Sequence, residues 1–154
     1  MSSSPPRWVA DANVLLRYLL RDQQQLAEKA RGLFAAVEDG RVVMVLDPVT
    51  LAEVVFVMTS TYEVPNLQIS DGLVSLLQTD GVVMSDKDRY VRALQLFAGP
   101  VRHFGDACAC AAALEECEGR LFSFDRKLSA VEGIDRAETF PPPTDKSAKG
   151  KRQT

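Results

Sequence analysis

Four carboxylates stand where this chain would do chemistry if it does any. Asp11 follows the apolar run RWVA, and Asp125 follows RLFSF. Asp106 comes straight after Gly105 at the head of an alanine-rich segment, and Glu53 lies one turn into PVTLAEVVFVM. Carboxylates drawn from separate segments are the donor set that a hard divalent cation, Mg2+ or Mn2+, requires, with coordination positions left over for water and a phosphate. Such a cation activates water near neutral pH and stabilises the charge that builds on a phosphate during displacement. This chemistry needs no histidine, and the one histidine, His103 in PVRHFGD, reads as a loop or packing residue.

Each acid also has a plainer reading. Asp11, Asp106 and Asp125 all fall where an acid caps a helix and meets the positive end of its dipole, worth roughly 0.5–2 kcal/mol for a cap. Glu53 has Val49, Thr50, Phe56 and Val57 as its helical neighbours, with no base among them. A carboxylate buried there without a partner is costly, so Glu53 either occupies a wet seam of the helix or coordinates something.

The elements that must position these acids follow from the pattern of apolar residues. Leu26, Ala30, Leu33, Phe34 and Val37 form the stripe of an amphipathic helix, with Asp22 as its expected N-cap and EDG as its stop. RVVMVLDP reads as a strand followed by a helix that opens at Pro48 and runs to Tyr62. The alternation continues with a helix near 66–78, the strand GVVMS, a helix near 86–97, and the alanine-rich helix closed by Gly119. RLFSFD is the next strand, then a short helix over 126–131 and a last strand near RAETF. Short apolar strands separated by helices predict an α/β fold, a central parallel sheet flanked by helices in three layers. In such a sheet ligands bind beyond the carboxyl ends of the strands, which is where Asp11 and Asp125 fall.

Length and composition set the limits. With 154 residues, 46% of them hydrophobic, the chain has material for one domain, expected over 7–140. Residues 1–6 and the Pro/Lys-rich 141–154 are too poor in apolar side chains to offset ordering and are expected to be flexible. The net charge is −3, yet Lys146, Lys149, Lys151 and Arg152 sit in the tail, so the body is acidic. An acidic body argues against broad nonspecific duplex binding, while a basic tail can add a few phosphate contacts or merely be solvated. Arg17, Arg21, Arg126 and Lys127 lie near the acids in sequence and are candidates for phosphate contacts or for surface solvation. Cys108, Cys110 and Cys117 cannot pair off evenly and have poor spacing for a metal, which points to small buried thiols in a reducing, cytoplasmic setting. Neither a P-loop nor a dinucleotide-binding glycine motif is present.

The segments ADANVLLRYLL, TLAEVVFVM, FGDACACAAALEE and LFSFDRKL, in that order, resemble the PIN domain and specifically the VapC-type ribonuclease toxins of bacterial toxin–antitoxin pairs, over roughly residues 7–140. The resemblance places Asp11, Glu53, Asp106 and Asp125 on the family's acidic positions and Asn13 and Ser123 on its accompanying polar ones. It implies one or two Mg2+ or Mn2+ ions, cleavage of single-stranded RNA, a homodimer, and an antitoxin protein that covers the site. If residues 123 to 125 are strand, Ser123 shares a face with Asp125 and its hydroxyl can hold that acid. Asn13 can likewise orient Asp11, or each can serve as an ordinary hydrogen-bonding group at an element boundary. A phosphatase of the haloacid-dehalogenase type would need a second Asp where Asn13 stands, and a receiver domain would need paired acids near the first strand. The remaining alternative is a noncatalytic PIN-like module that binds RNA or a partner.

Overall fold

A computed structural model describes residues 3–143; residues 1–2 and 144–154 of the expected flexible ends lie outside the described residues. The chain alternates as expected: β1 (Arg7–Val9), α1 (Ala12–Leu20), α2 (Gln24–Glu38), β2 (Val43–Leu46), α3 (Pro48–Ser60), α4 (Asn66–Leu77), β3 (Val82–Met84), α5 (Lys87–Ala98), α6 (Phe104–Glu116), β4 (Arg120–Phe122), a 3-10 turn (Arg126–Ala130) and β5 (Asp135–Ala137).

All strand pairs are parallel, so the fold is α/β with helices flanking parallel sheet. The sheet is divided. β1, β2 and β3 form one ladder in that order, with Trp8 opposite Met44 and Val45 opposite Val83, while β4 and β5 form a second with Leu121 opposite Arg136. Pairs of helices make the crossovers that parallel strands need, α1 and α2 between β1 and β2, α3 and α4 between β2 and β3. Central β2 buries Met44 and Leu46, and around them pack Leu15 of α1, Leu51 and Val54 of α3, and Leu73 and Leu77 of α4. Entry into the β4–β5 pair depends on two left-handed glycines in close contact: a Cβ on Gly119 (φ +85) would lie 1.9 Å from the carbonyl oxygen of Gly133 (φ +84). Only glycine allows that approach, which lets the Asp135 amide donate to the Gly119 carbonyl at 2.8 Å and set the register.

Several local expectations are corrected. Asp22 does not cap α2; the N-cap is Gln23, in the left-handed region without a side-chain cap, because Asp22 is drawn into an ion pair with Arg17. Arg17 is itself buried at 5% exposure, which removes it from the candidates for phosphate contact. The helix expected over 126–131 is a 3-10 turn ending at Ala130. Cys110 is buried as expected, whereas Cys108 is half-buried and Cys117 exposed.

Candidate active site

Asp11 and Asp125 occupy equivalent places. Each follows a parallel strand, adopts extended backbone, and turns the chain into a helical segment. Asp11 accepts a hydrogen bond through Oδ1 from the Val14 amide at 3.1 Å, and Asp125 accepts through Oδ1 from the Lys127 amide at 3.0 Å. The capping reading therefore holds for both. It engages one oxygen of each carboxylate and leaves Oδ2 free in an exposed side chain.

Asp106 does not cap. α6 begins two residues earlier, with His103 at the N-cap, so Asp106 falls in the first turn and is half-buried near the positive end of the helix dipole. Its charge reaches the Cys110 thiol one turn on, which is pushed up first by burial and then by this carboxylate. Burial likewise raises Cys108 to about 11, so neither thiol is a thiolate at neutral pH and a sulfur ligand or nucleophile here is disfavoured.

Glu53 is exposed, which resolves the two readings of its apolar helix. α3 has a buried face, Leu51, Val54, Val55 and Met58, and Glu53 lies on the opposite side, on a wet seam. Asp47 caps this helix, its Oδ1 accepting from the Val49 amide at 2.7 Å, a role signalled in sequence by the Asp-Pro step before the apolar run. Asn13 is exposed on α1. Ser123 acts on the backbone of Asp125: its Oγ accepts from the Asp125 amide at 3.1 Å, because the strand ends at Phe122 and the chain bends there. His103 and Arg102 are exposed in the loop before α6. That loop is clamped by Asn66, read in sequence only as a helix start, whose side-chain amide donates to the carbonyls of Phe97 at 3.2 Å and Arg102 at 3.0 Å.

Packing connects the four acidic segments in a row. α1 packs on α3, α3 on α6, and α6 on β4, so Asp11, Glu53, Asp106 and Asp125 belong to successive neighbours. The paired strands β1 and β2 are parallel, which puts Asp11 and the start of α3 at one sheet edge. In kind, the donors suit a hard divalent cation: they are oxygens only, and none of the four carboxylates forms an ion pair among the described residues. In arrangement, they form no ready-made cage, since no three His, Cys, Asp or Glu side chains among the described residues are placed to hold one ion. Also among the described residues, no helix is long and apolar enough to cross a membrane.

The geometry of two acid-headed helical segments behind parallel strands, with two further acids between them, agrees with a comparison against protein families. A model of the PIN domain matches residues 9–134. No curated protein matches the chain. PIN domains are generally nucleases that use divalent metal ions, and with most of its length matched this chain belongs to the PIN domain family.

Proposed function

We propose that the protein is a metal-dependent endoribonuclease that cuts single-stranded RNA, acting in the cytoplasm as the toxin of a toxin–antitoxin pair and held silent by a cognate antitoxin protein. The observation that carries the nuclease reading is the placement of Asp11 and Asp125. Each presents a free carboxylate oxygen at the carboxyl end of a parallel strand within the matched family region. Asp106 and Glu53 are the further acids of this reading, on helices α6 and α3 that lie in the packed row between the other two. When bound, Mg2+ or Mn2+ supplies Lewis-acid stabilisation of charge on the scissile phosphate. The helix-capping bonds of Asp11 and Asp125 fix the rotation of both carboxylates, and Ser123 holds the backbone that carries Asp125. Asn13, exposed two residues after Asp11, is available to orient that acid or the substrate. The homodimer belongs to the same reading and is supported by the exposed apolar face of α3, where Val49 is 77% and Phe56 69% exposed.

The test is end-mapping of total bacterial RNA treated with purified protein and Mn2+, beside EDTA and Asp106→Asn controls. Discrete cuts that need the metal and vanish in the variant are the expected result. Failure to cut with the variant folded and the parent intact would favour the noncatalytic PIN-like module.

A further inference from the structure

We propose that Phe122 and Phe124 form a stacking platform for unpaired bases of single-stranded RNA beside Asp125, an inference that rests on the nuclease reading above. Both rings are turned away from the core. Phe124 is 80% exposed and Phe122 55%, whereas Leu121 between β4 and the core is half-buried against it. The bend after Phe122 brings the two rings together edge to face, with centroids 6.0 Å apart and planes at 79°. The pair braces itself and leaves aromatic surface open to solvent.

Two aromatic rings exposed at and just beyond the end of β4 are costly in water, and their surroundings select the occupant. Arg126 and Lys127, immediately beyond Asp125, are exposed and form no ion pair among the described residues. Arg120 and Arg136, by contrast, are held by Glu118 at 3.4 Å and Glu138 at 2.8 Å. Exposed rings with exposed cations just beyond the intervening acid are the chemistry that single strands use, bases on the aromatic faces and phosphates on the cations. A base pair inside a duplex offers no such face, because its stacking surfaces are already covered. A groove of about 600 Å3 runs from Phe122 along β4–β5 to Phe140, which is 86% exposed, and extends the path away from the acid. Phe124 directly precedes Asp125, so the platform and that carboxylate are carried on the same short stretch of chain beyond β4.

The experiment measures binding in EDTA, where cleavage is off, by fluorescence anisotropy. The probe is a fluorescein-labelled oligouridylate of about twelve nucleotides, within the span of single-strand sites, and the control is an RNA duplex of equal length. The parent is expected to prefer the single strand. Phe122→Ala/Phe124→Ala is expected to weaken that binding about tenfold or more, and Phe124→Trp to hold it near the parent's, because stacking needs a ring of any kind. Single-strand affinity unchanged in the double alanine variant, or a parent that binds no single strand, overturns the platform. So does loss of a dimer in that variant by sedimentation with RNA binding unaltered, which would assign the rings to a protein interface. Cleavage with Mn2+ is scored separately on the same oligonucleotide and on total RNA. Ring-dependent binding without any cleavage removes the nuclease reading alone, whereas cleavage with ring-independent binding removes the platform alone.

Discussion

Asp11 carries two duties in one side chain, and substitutions separate them. Its Oδ1 caps α1 through the Val14 amide, a role asparagine fills about as well as aspartate, whereas alanine forfeits it. Asp11→Asn is therefore expected to leave the chemical-denaturation midpoint nearly unchanged and to abolish metal-dependent cleavage. Asp11→Ala should lose cleavage and about 1 kcal/mol of stability as well. Cleavage by Asp11→Asn at the parent rate would leave Asp11 a cap and nothing more. The two duties explain why this acid was legible in the sequence, since the carboxyl end of a strand is at once a ligand-binding edge and a helix entry. Glu53 was legible only as a dilemma, because the exposure of one side of α3 is decided by what packs on it, which local spacing does not carry. Arg17 was misread for a related reason. A base on an early helix looks solvated until the tertiary fold encloses it.

The connection between α1 and α2 shows what an element boundary costs and how the chain secures it. Arg21 and Gln23 both adopt left-handed backbone, at φ 56 and 49, strained for side chains of their size. Asp22 between them is held by Arg17 in an ion pair 2.8 Å long, and the Tyr62 hydroxyl accepts from Arg17 at 3.2 Å and donates to Asp22 at 3.4 Å. The bond to Tyr62 is the leading cause of the raised Arg17 pKa, so the guanidinium stays charged in its burial. The ion pair is close but misaligned for hydrogen bonding, which leaves Arg17 Nε and Nη1 and Asp22 Oδ1 without aligned partners. Breaking a fully buried pair costs roughly 3–5 kcal/mol. Because the Asp22 side chain is 37% exposed, Arg17→Ala is expected to cost less, about 2 kcal/mol, and Tyr62→Phe about 1 kcal/mol. Urea unfolding of both variants and their combination checks this; strictly additive losses would deny the shared network. Most elements themselves were readable, because the 3.6-residue stripes and the apolar runs mark helix and strand without tertiary help. The Arg17–Asp22–Tyr62 link joins residues up to 45 apart, and nothing in local periodicity announces it.

At the scale of the molecule, several large apolar side chains are exposed among the described residues, Trp8 and Val9 of β1 included, and two of these surfaces make different demands. One is the β4 aromatic pair. The other is the outer side of α3, where Val49 and Phe56 project beside a groove of about 650 Å3 whose walls include Tyr90 and Phe97 of α5 and Phe104 of α6. Val49 and Phe56 share the outer side of α3 with the exposed Glu53, and the proposed homodimer covers this apolar pair with another copy. Local apolar spacing singles out neither surface, because it does not say which side of an element another element covers. The parallel sheet itself was read correctly, while its division into two ladders leaves no mark on local spacing. Phe56→Asp places a charge at the centre of the α3 face without disturbing the monomer core, because the parent side chain is already 69% exposed. Sedimentation velocity should show a dimer for the parent and a monomer for this variant, with single-strand RNA affinity in EDTA unaltered. The double alanine variant of Phe122 and Phe124 should give the reverse pattern, an intact dimer with weakened RNA binding. If Phe56→Asp sediments as the parent does, the α3 face is not the interface. If it weakens RNA binding as much as loss of the rings does, the two surfaces serve one ligand and the assignment of separate roles falls.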